Sequence, residues 1–314
     1  MLGGPSFEQL RGMLVSPAHR AILVSGMPRS GTTWLARLLA SAPGTALAGR
    51  EPMNPRGRQW GLAHTLTGWT EMVEVTTTQR LALLAAYHGL SPWAFSRYGR
   101  RQWAAPLPWT RVVVKDPFAM LSIPAVVRVT GAVPILLYRH PGAGLASYRR
   151  MGWKPDLDEL RPVLAEHRRA RSVLAPGSVQ LPRPGEAGEA GEAREAHAMG
   201  AFWSALYEIA LDNLTPDTVV VSHEELVVNG SSAARMLFTT VGLEWNAAAE
   251  AQLGGQVTEH SSAQAGTSLH NFDRDPQDVV ASWRKGLTEQ ERVAVETVTS
   301  AVQQRLHEAR LVLA

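Results

Sequence analysis

The ten residues SGMPRSGTTW, Ser25 to Trp34, set Gly26 and Gly31 at the spacing of a phosphate-binding loop, G-x-x-x-x-G-K-[ST], and put Thr32 where that loop carries its lysine. Successive backbone N–H groups and a helix N-terminus can cradle an anion without the lysine. What is lost is the side chain that contacts the β- and γ-phosphates of a nucleoside triphosphate being split. Arg29, inside the loop, offers oxyanions a planar grip with five donors. Taken alone, the loop also admits a purely structural reading as a glycine-rich turn.

A loop of this kind needs a strand before it and a helix after it. The apolar run Ala21–Val24 supplies the strand, and Thr32–Ala40 places Trp34, Leu35, Leu38 and Leu39 on one helical stripe that Pro43-Gly44 ends. Further short apolar runs at Val112–Val114, Pro134–Tyr138 and Thr218–Val221 alternate with amphipathic stretches, the pattern of buried parallel strands joined by helices. Thr45–Ala48 reads as the second strand. Helices are expected at Gln79–Tyr87, Ile123–Val129, Gly142–Arg150, Ala198–Asn213, Ser231–Thr240 and Thr288–Ala309. The fold class is therefore α/β, a P-loop-type three-layer arrangement with a mostly parallel central sheet and its ligand at the C-terminal edge of the strands.

One stretch breaks the alternation. Ala175 to Ala198, APGSVQLPRPGEAGEAGEAREAHA, has three Gly-Glu-Ala units and almost no bulky apolar residue, so it reads as a flexible insertion or a lid. The segments on both sides belong to one alternating sheet, so residues 1–314 read as a single domain.

Composition narrows the partners. The chain of 314 residues has 31 Lys+Arg against 28 Asp+Glu, a net charge of +3 with the arginines scattered, which suits a small anionic ligand better than a nucleic acid. With no cysteine, thiolate nucleophiles and Cys-ligated zinc are excluded. No run approaches the roughly 18 apolar residues of a membrane span, and MLGGPSFEQLRGML lacks the basic start and apolar core of a signal peptide. A cytoplasmic protein is expected. The sequence leaves its oligomeric state open.

Three stretches taken together, PRSGTTW, VVVKDPFAML at Val112–Leu121 and ILLYRHPGAGLASYRRM at Ile135–Met151, resemble the sulfotransferases that use 3′-phosphoadenosine 5′-phosphosulfate. The likeness is closest to the branch of tyrosylprotein sulfotransferases and bacterial relatives, which share the stretch Lys115–Phe118. It covers Ala21 to Trp153 and then thins. VVVSHEELV at Val219–Val227 has His223 in place of that family's tyrosine, and SWRKGLTEQE at Ser282–Glu291 is similar to its C-terminal Trp/Lys segment.

The resemblance implies that Arg29, Ser30, Gly31, Thr32 and Thr33, with Trp34, hold the donor's phosphosulfate end, and that Arg139 and Ser147 hold its 3′-phosphate. Such a pairing is physically sound, since Arg139 leaves a buried strand and Ser147 lies two turns into the next helix. Sulfuryl transfer to a hydroxyl needs a base for the acceptor's proton and cations for charge gathering on the bridging oxygen. The resemblance gives the first role to Glu51 and the second to Lys115 and Arg29, with no metal required. Asp116 and His270 compete for the base, although Asp116 is better placed to pair with Lys115.

The acceptor would be a hydroxyl on a small molecule, carbohydrate or peptide, such as a secondary metabolite or glycoside. Trp60, Trp69, Tyr87, Trp93, Phe95, Tyr98, Trp103 and Trp109 could wall its pocket or simply fill the core. Two rival functions remain open, a P-loop kinase or NTPase and a non-catalytic nucleotide-binding protein.

Overall fold

The computed structural model describes residues 20–57, 62, 64–89, 110–175, 179, 188–254 and 280–313. Five strands, β1 (Ile22–Ser25), β2 (Thr45–Leu47), β3 (Arg111–Lys115), β4 (Val133–Tyr138) and β5 (Val219–Ser222), form one sheet in the order β2-β3-β1-β4-β5. Every pairing is parallel, with Leu23 opposite Val114 and Val24 opposite Ile135. The expected runs are thus strands, each within a residue or two of its expected limits.

Alternation along these strands divides the core in two. Ile22, Val24, Val113, Ile135, Leu137 and Val221 face one layer, with α1 (Thr32–Leu39), α7 (His223–Val228), α8 (Gly230–Thr240) and α9 (Ala247–Leu253). Leu23, Val112, Val114, Leu136 and Val220 face the other, built from α2 (Thr77–Tyr87), α3 (Ile123–Thr130), α4 (Pro141–Arg150), α5 (Arg168–Val173), α6 (Glu189–Asp212) and α10 (Glu289–Ala309). Residues one apart on a strand bury into opposite layers, so both faces need apolar side chains and the strands read as continuous apolar runs.

Helix α6 begins inside the Gly-Glu-Ala segment, so residues 189–198 of the stretch read as a flexible insertion or a lid over 175–198 are helical. Alanine and glutamate are good helix formers, and the small residues Gly191, Ala196 and Ala198 are buried as the helix packs along its neighbours. At Gly200 a Cβ would lie 2.5 Å from Val298 of α10, so only glycine permits this approach.

The chain leaves adjacent strands β1 and β3 in opposite directions, first to the edge strand β2 and then across to β4. That opens a crevice at their C-terminal ends. Ser25 closes its floor, donating its hydroxyl to the carbonyl of Asp116 at 2.7 Å, while the N–H of Asp116 donates to the carbonyl of Val24 at 3.0 Å.

Candidate active site

The loop between β1 and α1 takes its shape from two glycines and one strained arginine. At Gly26, with φ 146°, a Cβ would stand 2.1 Å from the carbonyl oxygen of Leu137; at Gly31, with φ 100°, it would stand 2.5 Å from the His223 ring. Arg29 holds φ 75° with a full side chain, a conformation that costs about 1–3 kcal/mol and is commonest at functional sites. Gly31 caps α1 without a side-chain hydrogen bond and the first turn carries no acidic residue, so the helix presents its N–H groups and positive dipole end to the crevice.

Arg29 reaches from this loop to α4, where its Nε donates to Ser147 Oγ at 3.0 Å. Ser147 is 3% exposed. Ser147 thus bonds Arg29, while Arg139 stands at the exit of β4 beside the N-terminus of α4. Burial lowers the pKa of both arginines, and the charge of Arg150 lowers both further; Glu224 partly offsets the effect on Arg139. Arg29 and Arg139 therefore share the positive field of Arg150, and Arg29 adds its own charge at Arg139. Arg150 and Glu224 were not singled out in the sequence; the doublet Arg149-Arg150 at the end of α4 was the available signal.

On the other side of the loop, Lys115 at the end of β3 forms an ion pair with Glu51, whose second carboxylate oxygen accepts the side-chain amide of Asn54. Lys115 and Glu51 are 16% and 18% exposed and line a cleft with Thr33, Ala48, Asn54 and Arg56. Burial lowers the Lys115 pKa; Asp116 opposes that shift, and Arg29 and Arg37 add to it.

Asp116 does not take Lys115 as its partner, contrary to expectation. Its carboxylate is fully buried and accepts the backbone N–H groups of Met53 at 2.5 Å and Phe118 at 3.2 Å. Burial pushes its pKa up to about 7, against the pull of Met53 N–H and Lys115. Asp116 thereby ties the loop carrying Glu51 to the end of β3, with no face toward the cleft. His270, the other competitor for the base, lies outside the described residues.

Trp34 is buried, with its ring edge-on to His223 at 5.9 Å, and its indole N–H meets no acceptor among the described residues. Thr32 is buried in the first turn of α1 and Thr33 lines the Glu51 cleft. The short turn Ser282–Gly286 lies against α4, with Trp283 stacked on His140 at 4.1 Å and Arg284 above the indole at 5.6 Å. Of the aromatics that could wall a pocket, Trp69 and Tyr87 are buried in the core, with Trp69 packed on Phe118 at 4.6 Å. Trp60, Trp93, Phe95, Tyr98, Trp103 and Trp109 lie outside the described residues. Among the described residues no His/Asp/Glu group is placed to hold a metal, and no helix is long and apolar enough to cross a membrane.

No curated protein sequence matches this one. Solved structures with a similar course include the sulfotransferase domain of the Synechococcus PCC 7002 olefin synthase, with 15% identity over 88% of this chain and 94% of that one at TM-score 0.45. Mouse sulfotransferase SULT7A1 complexed with PAP has 15% identity over 97% and 95% at TM-score 0.44. A sulfotransferase from Alicyclobacillus acidocaldarius has 12% identity over 91% and 99% at TM-score 0.39. The family model described as Sulfotransferase family matches residues 21–183, which take in the loop, the Glu51–Lys115 pair, Arg139 and Ser147. That match spans more than half of the chain, and the chain belongs to the sulfotransferase family.

Proposed function

We propose that this sulfotransferase takes its sulfonate from 3′-phosphoadenosine 5′-phosphosulfate and gives it to a hydroxyl on a small molecule, carbohydrate or peptide, with residues 1–314 acting as one domain. The observation that carries the donor is the crowding of Arg29, Arg139 and Arg150 around the loop. Arg29 and Arg139 are half-buried and feel the exposed Arg150. Half-buried like charges are unfavourable to the fold, and a ligand with two separated anionic groups neutralises them. In this reading Ser30 to Trp34 and Arg29 take the phosphosulfate, while Arg139 and Ser147 take the 3′-phosphate.

For the transfer, the acceptor oxygen forms the new bond to sulfur as the bond from sulfur to the bridging phosphate oxygen breaks. Glu51 takes the acceptor's proton, and Lys115 and Arg29 meet the charge left on 3′-phosphoadenosine 5′-phosphate. The Lys115–Glu51 pair gives this scheme an order, because the donor's anionic end competes for Lys115 and leaves Glu51 to the acceptor. Side chains supply the cations, so no metal is assigned.

Ligand-dependent melting tests the donor. By mass action 3′-phosphoadenosine 5′-phosphate raises the melting temperature more than Mg-ATP does. Equal or greater stabilisation by Mg-ATP would favour the kinase reading.

A further inference from the structure

We propose that Trp203 and Tyr207 of α6 act as a spacer that fixes the separation of the two phosphate subsites; this rests on the donor reading above. The residues are one helical turn apart, on the same face, and their rings pack at 4.6 Å. Both are fully buried, and each spends its polar atom on backbone at the crevice.

Tyr207 lies beneath the phosphate loop. Its hydroxyl accepts the N–H of Met27 at 3.2 Å and donates to the carbonyl of Leu137 at 2.9 Å, so one atom ties the loop to β4. Burial raises its pKa, which keeps the phenol protonated as that donor. Trp203 donates its indole N–H to the carbonyl of Arg139 at 3.1 Å. The other end of the same peptide is held too, since the N–H of His140 donates to Glu224 at 2.9 Å. The backbone that launches Arg139 is therefore fixed on both sides, at a set distance from the loop that Tyr207 holds.

The spacer is itself mounted on a rigid body. Ser204 donates to the carbonyl of Val298 at 2.7 Å, which locks α6 to α10. Arg149 joins α4 to Glu195 of α6 at 2.9 Å and to Glu291 of α10 at 2.5 Å. A phenylalanine at either position would fill most of the same space, so packing does not account for the indole N–H or the phenol. A ligand gripped at two points is sensitive to small errors in their spacing, which makes these positioning residues and not catalytic ones.

The test is calorimetric titration of wild type, Trp203→Phe and Tyr207→Phe with adenosine 3′,5′-bisphosphate and with AMP, which lacks the 3′-phosphate. Trp203→Phe is expected to weaken the bisphosphate about five- to tenfold while AMP stays within about twofold, the scale of one lost hydrogen bond. Tyr207→Phe is expected to weaken both ligands, because it releases the loop. Should Trp203→Phe fail to fold, benzothienylalanine incorporated at Trp203 keeps the two-ring shape, removes the N–H and is expected to give the same loss. A bisphosphate-to-AMP preference unchanged from wild type in either Trp203 variant overturns the spacer alone, whatever happens to the melting temperature. Absence of that preference in wild type overturns the donor reading and the spacer with it.

Discussion

Lys115 and Glu51, 64 positions apart in sequence, meet as an ion pair at the base of the cleft, so the proposed cation and the proposed base occupy each other in the ligand-free protein. Glu51→Gln keeps the size and much of the hydrogen bonding but removes the base. Turnover is expected to fall by about 10²–10⁴, with affinity for 3′-phosphoadenosine 5′-phosphate within a few-fold of wild type. The loss should shrink with acidic acceptors such as nitrophenols, which need less help in losing the proton. Near-normal turnover of Glu51→Gln on a weakly acidic hydroxyl would show that another group is the base.

Asp116→Asn should behave differently. The amide can accept only one of the Met53 and Phe118 N–H groups that the carboxylate accepts together, leaving a buried donor unsatisfied at a cost of about 1–3 kcal/mol. Chemical denaturation is expected to show that loss of stability, with turnover per folded molecule largely retained. Abolished turnover with unchanged stability would assign Asp116 to the chemistry.

Arg139→Ala removes the guanidinium proposed to hold the 3′-phosphate. Binding of 3′-phosphoadenosine 5′-phosphate is expected to weaken by about 1.5–3 kcal/mol, while adenosine 5′-phosphosulfate, which lacks the 3′-phosphate, changes little. If titration shows both ligands weakening alike, Arg139 holds the fold and does not read the phosphate.

His140 links the site to pH. Its Nδ1 accepts the Gly142 N–H at 3.1 Å as the N-cap of α4, its ring stacks on Trp283, and burial, helped by Arg284, lowers its pKa to about 4. Between about pH 6.5 and 4 the unfolded chain takes up a proton that the native His140 refuses, so its contribution is full above about 6.5 and is lost as pH falls through that window. His140→Asn keeps a good capping side chain and removes the titration. Denaturation midpoints across this range should show a shallower acid slope in the variant, offset by the lost stacking; an unchanged slope would place the proton uptake elsewhere.

The sheet was legible because β-branched runs such as Val112–Val114 bury on both faces, and the loop was legible from the spacing of Gly26 and Gly31. Tertiary geometry decided the rest. Which guanidinium reaches Ser147 depends on the positive φ of Arg29, which composition does not reveal. Asp116 looked like the partner of Lys115 because they are neighbours, but strand alternation sends adjacent side chains to opposite sides. Nothing in sequence shows that the polar atoms of Trp203 and Tyr207 find Arg139 and Met27, because those partners lie 64 and 180 positions away and meet only in the tertiary fold. The Gly-Glu-Ala repeat looked unstructured from its lack of bulky residues, whereas its alanines and glutamates favour the start of α6 once small side chains can pack closely.

Sulfonate transfer itself is most directly tested by incubating the protein with ³⁵S-labelled 3′-phosphoadenosine 5′-phosphosulfate and a panel of phenols, sugars and peptides, counting labelled acceptor and released 3′-phosphoadenosine 5′-phosphate together. The account predicts label on at least one hydroxyl acceptor, one released nucleotide for each labelled product, and loss of both signals in Glu51→Gln. Label transfer absent across the panel while Mg-ATP is consumed, or transfer that proceeds unchanged in Glu51→Gln, would contradict it.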